Sequence, residues 1–280
     1  MRMMTLTCCA VLSCIHLAAQ DKASAPRWKN TVVGNLNFTQ NHFDNWTQGG
    51  ADSWSWQSDL LPKFVFEDTT IQWSNTGKIS YGQSKVGDAQ SRKSADEIRA
   101  ESVLTYKAGK WINPYAAVTG LTQIAKGYDY GTDPRTEVTG FLDPGYFTES
   151  AGLSFQPDPH VKTRIGAACK ETVTRNHPAP YADDPKTLKI EKIKVEPGAE
   201  WVTDLELKLH ENILFTSKME MFSNLKGLKA VDVNWDNMFT SKISKLLSIS
   251  LNVRVFYDRD VSLKRQIKQV LAVGMSYSLL

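Results

Sequence analysis

Past its first fourteen residues this chain has one cysteine, Cys169; the other three are Cys8, Cys9 and Cys14. No intramolecular disulfide can staple the body of the protein, so stability must come from packing or from sheet hydrogen bonding. Long apolar runs are missing too: after the first twenty residues none approaches the ~18 residues of a membrane helix. Charge of one sign is not in excess. Lys and Arg total 33 against 30 Asp and Glu, a formal charge of +3, without the basic dominance of a nucleic-acid binder. With 22% charged and 41% apolar residues the chain is neither a disordered segment nor a helical membrane protein. G-x-S-x-G, zinc-ligand spacing and a phosphate-cradling glycine loop are all absent. No cofactor, no metal and no enzyme activity are expected.

What is present begins with a targeting segment. Arg2 precedes an apolar stretch from Met3 to Leu17, and small residues follow at Ala18 and Ala19. This pattern predicts a secretory signal peptide over 1–20. A rival reading is lipid attachment at Cys14, since Val11-Leu12-Ser13-Cys14 loosely fits such a box. A short segment, 21–29, is then expected in the periplasm, with the main domain over 30–280.

That domain has a two-residue period. In 193–209 apolar side chains take seven of nine odd sites, and of the eight even sites only Val202 is apolar. A helix would smear such alternation around its surface; a strand keeps the two sets on opposite faces. The period recurs in about twelve segments, for example Ile98, Ala100, Leu104 and Tyr106 against Glu97, Arg99 and Glu101. In 111–124 either parity suits the apolar face. Short connections near 63–69, 107–110, 156–160, 210–212 and 241–247 take turns with longer gaps near 42–52, 83–95, 125–144, 174–191, 223–231 and 258–268.

A sheet with one apolar face must put that face somewhere dry. In lipid every backbone group needs an internal partner, so only a closed sheet can serve. A charged opposite face suits a wet lumen, and aromatics near strand ends (Tyr81, Tyr106, Phe155, Tyr257 and Tyr277) suit an interfacial girdle. The expectation is all-β: a closed up-and-down antiparallel transmembrane β-barrel of about twelve strands, long loops outside and short turns in the periplasm. The alternative is a soluble periplasmic all-β binding protein with the apolar face inside. Export places the barrel in the outer membrane of a Gram-negative bacterium. Its expected partners are outer-membrane lipids and the outer-membrane barrel assembly machinery, with no nucleic acid.

Four segments carry a family likeness. Asn45-Trp46-Thr47-Gln48-Gly49-Gly50-Ala51-Asp52-Ser53 resembles an N-W-x-x-G-G-x-N/D-S signature, and Val231-Asp232-Val233-Asn234-Trp235 a D-V-N-W element. Phe256-Tyr257-Asp258-Arg259-Asp260 is similar to a Y-D-x-D loop entry, and Gln269 to Tyr277 to a closing strand. Together these resemble a Bacteroidota outer-membrane barrel family catalogued as domain of unknown function 3078. The chain departs from it by ending in Leu279-Leu280 rather than an aromatic residue. The resemblance implies an outer-membrane barrel and no established activity.

The residues expected to line the lumen are Glu97, Arg99, Glu101, Lys162, Arg164, Glu200, Asp204, Glu206, Lys218, Glu220, Asp232, Asp236 and Arg254. One reading is a passive pore for small solutes without strong ion selectivity, since both signs are present. The other is a structural surface protein whose ion pairs fill a narrow interior. Of the histidines, His42 lies near the outer rim, where a lipase-like site would need a serine and an orienting acid. Asp183-Asp184 and Asp258-Arg259-Asp260 lack calcium-loop spacing and read as solvated loop charge.

Overall fold

The computed structural model describes residues 27–45, 47, 50–225, 231–259 and 262–280. The segment 1–20 with Cys14, residues 21–26 of the expected periplasmic segment, and Trp46, Gln48, Gly49 and Asp260 of the motifs above lie outside the described residues. Fourteen strands follow in order: β1 (Arg27–Asn41), β2 (Ser53–Glu67), β3 (Ile71–Val86), β4 (Arg92–Tyr106), β5 (Ile112–Thr122), β6 (Gly127–Asp129), β7 (Thr136–Thr139), β8 (Gly145–Asp158), β9 (Val161–Val173), β10 (Ile193–His210), β11 (Ile213–Ser223), β12 (Val231–Lys242), β13 (Leu247–Tyr257) and β14 (Gln266–Ser278). Twelve of them form one closed antiparallel barrel. Neighbours in sequence are neighbours in the sheet, except that β5 pairs with β8 because β6 and β7 form a separate hairpin in the intervening loop. The ring closes where β1 meets β14, from Val33 opposite Ser278 to Asn37 opposite Gly274. No helix occurs among the described residues.

The two faces are distributed inside out relative to a soluble protein. Leu271 is 69% exposed, Ile165 59% and Val195 55%, while Arg164 is 4% exposed, Glu101 6% and Glu200 7%. Covering one such aliphatic side chain is worth about 1.5–3 kcal/mol, so a whole wall of them is not left in water. The barrel is therefore a transmembrane one, and the soluble reading, which needs the apolar face inside, is overturned. In β5 the open parity resolves: Tyr115 and Ala117 point inward and are buried, while Ile112 and Val118 face outward.

The outer face still has polar groups to satisfy. Trp73 Nε1 donates to Ser102 Oγ (2.8 Å), Trp201 Nε1 to Thr163 Oγ1 (2.8 Å) and Trp235 Nε1 to Ser217 Oγ (2.9 Å). Each acceptor lies on an adjacent strand, so the indole N–H groups have partners without water. At the short-turn end Trp28 packs against Phe66 (5.3 Å between ring centroids) and Trp73 (6.2 Å).

Connections at one end are tight: 68–70, 107–111, 159–160, 211–212 and 243–246. At the other end 42–52, 123–144 and 174–192 are long, but the expected gap 83–95 is mostly strand. β3 continues to Val86 and β4 starts at Arg92, with a bulge at Gly82/Gln83, so this loop is no longer than 107–111. Polar side chains such as Gln83 and Lys93 hid those strand ends. At the other margin of the domain, β1 already starts at Arg27 and pairs with Glu67.

Candidate functional site

The described cavities lie inside the barrel, and β4 organises them. Glu97, Arg99 and Glu101 are alternate residues of β4, so pleating aims all three inward. Arg99 pairs with Glu220 on β11, and Glu97 with Arg254 on β13 and, at 3.3 Å, with Lys78 on β3. Glu101 binds Arg164 of β9 and Lys218 of β11. β11 and β13 lie far from β4 around the ring, so these pairs cross the lumen rather than run along its wall. The layer extends through Glu200, which takes hydrogen bonds from Arg164 Nε (3.2 Å), Ser150 Oγ (2.6 Å) and Tyr115 Oη (3.3 Å). Gly166 makes room for it: a Cβ there would sit 2.7 Å from the Tyr115 hydroxyl.

This layer is a septum. Below it, toward the short turns, is a cavity of about 770 Å³; above it, toward the long loops, one of about 390 Å³. Glu97 and Arg254 line both, so the septum is their common wall. Lys162 Nζ spans the lower cavity to Gln72 Oε1 on β3 (3.2 Å), and Lys268 Nζ spans the upper one to the Ser94 carbonyl on β4 (3.1 Å).

All thirteen residues named above for the lumen border interior cavities. Eleven surround the lower one; Glu200 and Asp232 line a recess above the septum, where Lys170 holds Asp232 (2.6 Å) and Asp258 (3.2 Å). Tyr81, Tyr106, Phe155, Tyr257 and Tyr277 occupy outward positions. Tyr81 and Tyr257 lie toward the long-loop end, and Tyr106, Phe155 and Tyr277 toward the short-turn end. Lys78, Ser150, Tyr115 and Lys170 also belong to the interior network and were not singled out from the sequence. Lys78 and Lys170 shared the parity of the charged face, which was the signal available for them, whereas the open parity of 111–124 hid Tyr115.

The long loops are tied over the outer mouth. Asp143 accepts N–H bonds from Arg175 (2.8 Å), Asn176 (2.8 Å) and His177 (3.2 Å), joining loop 123–144 to loop 174–192. Burial pushes the Asp143 carboxyl up, but these three donors outweigh it and hold the pKa below the usual aspartate value. Tyr181 from the second loop lines the upper cavity.

His42 does have an acidic neighbour. Its Nδ1 lies 3.1 Å from Asp52 Oδ2, and the Phe43 N–H bonds the same carboxylate (2.8 Å). Among the described residues no serine hydroxyl is bonded to His42, so a nucleophile–base pair is not assembled. Nor is there a group of three or more His, Cys, Asp or Glu suited to a metal ion among them.

A family model described as "Protein of unknown function (DUF3078)" matches residues 38–128, which span the end of β1 to β6. No curated protein matches the sequence. Among solved structures, the translocator domain of the autotransporter NalP from Neisseria meningitidis is similar at 10% identity and a TM-score of 0.37, over 91% of this chain and 88% of that one. The Pseudomonas putida toluene transporter TodX is similar at 9% identity and TM-score 0.31 (93% and 90% covered), and Pseudomonas aeruginosa OccK5 at 9% and 0.29 (90% and 98%). At these values the likeness is one of architecture and carries no argument about solutes.

Proposed function

We propose that this protein is an outer-membrane barrel of a Gram-negative bacterium, exported by its signal peptide. It acts as a narrow pore for small polar solutes that rests closed, and it is not an enzyme. Outer-membrane lipids would be its surroundings and the barrel assembly machinery its partner during biogenesis. The observation that carries the reading is the septum: cross-lumen ion pairs from β4 to β9, β11 and β13 divide the interior into two vestibules. A purely structural barrel would gain as much from an apolar filling, since a buried ion pair often does no better than a well-packed hydrophobic substitute. Charged pairs between water-accessible cavities are instead able to part and exchange partners with water and solute. Both signs line the passage, so small zwitterionic or neutral polar solutes fit it better than ions of one charge.

The test is planar-bilayer conductance of the refolded protein. Wild type should show low, intermittent conductance, and Glu101→Gln, which takes one acceptor from both Arg164 and Lys218, should raise the mean current several-fold. A wild-type barrel that is steadily open, or one that stays silent with the septum charges removed, would overturn the reading.

A further inference from the structure

Five residues break the parity rule in the outer half of the barrel. Leu121 on β5, Tyr146 on β8, Val202 on β10, Phe222 on β11 and Phe256 on β13 are large apolar or aromatic side chains in inward positions, beside polar residues such as Thr119, Thr148 and Asn234. They come from five different strands and meet around one recess of about 140 Å³. Val202, the lone apolar residue on the even face of β10, is only 2% exposed there, and Phe222 is 9% exposed. An apolar plug would fill this space. Here a hollow is left whose apolar wall meets the charged residues Arg99, Lys170, Glu200, Glu220, Asp232 and Asp258, and its volume is close to the ~150 Å³ that holds benzene in an apolar cavity.

The recess adjoins the 390 Å³ upper cavity and shares Leu121, Tyr146 and Phe256 with it. That cavity is of the size of small-molecule sites, ~300–1,000 Å³. It reaches Gln266 and Ile267, the first residues of β14, and so opens toward the long loops. Its charged residues are Asp96, Glu97, Arg254 and Lys268, and they are not equivalent: Asp96 is held by Lys93 (2.7 Å). Arg254 is held by Glu97, whereas Lys268 donates only to a backbone carbonyl and forms no ion pair among the described residues. In the recess, Lys170 is held by Asp232 and Asp258. Of these three cations, all among the described residues, Lys268 is therefore the one still able to take an anionic group.

We propose that the outer half of the lumen is a binding site for a small aromatic carboxylate entering from the long-loop side. Its ring fills the recess against Tyr146, Phe222 and Phe256, its carboxylate meets Lys268, and Tyr181 covers it. This site lies above the septum and stands whether or not the barrel conducts.

The experiment is calorimetric titration of benzoate into the refolded full chain in detergent, with benzamide and acetate as probes that each lack one half of the recognition. The expected result is saturable benzoate binding, weakened about tenfold or more by Lys268→Gln and by Phe256→Ala. Benzamide and acetate should each bind at least tenfold more weakly, and Leu271→Ala on the outer face should change nothing. Absence of saturable binding, acetate binding as tight as benzoate, or benzoate binding unmoved by Lys268→Gln would overturn the proposal. Should Phe256→Ala fail to refold, as read from heat-modifiable gel migration, Tyr181→Ala replaces it, because Tyr181 lies in a loop and leaves every strand intact.

Discussion

Arg99 on β4 and Glu220 on β11 are joined across the barrel, not along a hairpin. Cross-strand neighbours meet because the ladder puts them side by side; this pair meets only because the lumen is narrow enough for two side chains to span it. Its energy is thus tied to the closed shape of the interior. Exchanging the charges, Arg99→Glu with Glu220→Arg, should restore most of what either single change loses. A coupling energy of about 1–3 kcal/mol in urea unfolding from vesicles is the expected outcome. Additive single-mutant effects would mean that the two groups are separated by water.

A second prediction concerns the lipid-facing polar chain. Trp235 donates to Ser217, Ser217 donates to Asn237 Oδ1 (2.8 Å), and the Asn237 amide reaches the Val253 carbonyl (3.5 Å). Ser217→Ala removes the middle of this chain and leaves an indole N–H in hydrocarbon. The cost should be about 1–3 kcal/mol, as for any orphaned buried donor. Trp235→Phe together with Ser217→Ala should cost less than the sum of the two changes, because the orphan is then gone.

How much of this was legible beforehand depends on which question is asked of a residue. Which way Glu97, Leu205 or Trp235 points is a local matter, set by the pleat and written as alternation. What Glu97 touches is not local: Arg254 lies nine strands later in the chain, and only closure of the ring brings them together. For the same reason the septum was not readable as a layer, although its charges were. Strand ends were misread where polarity continued into the strand, as at Gln83 and Lys93, and the β6–β7 hairpin was too short to show a period. Val202 is the opposite case: a single exception to the pattern, visible from the start, that lies in the wall of the recess.

The Asp143 clasp gives a pH dependence. Its carboxyl has a lower pKa folded than free, so it binds protons more readily once released. The contribution is complete above the ordinary aspartate pKa and is lost as pH falls through the depressed folded value. Protease cleavage within 123–144 and 174–192 should accordingly be slow at neutral pH and accelerate only in strong acid. Asp143→Asn should cleave faster at neutral pH and lose the acid dependence. Equal acid sensitivity in wild type and variant would place the titrating group elsewhere.

Adjacent residues of β13 provide the sharpest check on the direction of the two faces. Leu251 faces outward between Phe239 and Leu271, and Ser250 faces inward between Thr240 and Ala272. An arginine at the middle of a lipid-facing strand costs about 2–4 kcal/mol, because its charge must be dragged toward the interface or hydrated in hydrocarbon. The same arginine one residue earlier enters a wet interior, where its charge stays solvated and its bulk takes up space. Leu251→Arg should therefore lower unfolding free energy in vesicles by that amount with little effect on current. Ser250→Arg should leave stability within about 1 kcal/mol and reduce current through the lower vestibule. The reverse pattern would mean that the charged face of this sheet, not the apolar one, meets the lipid.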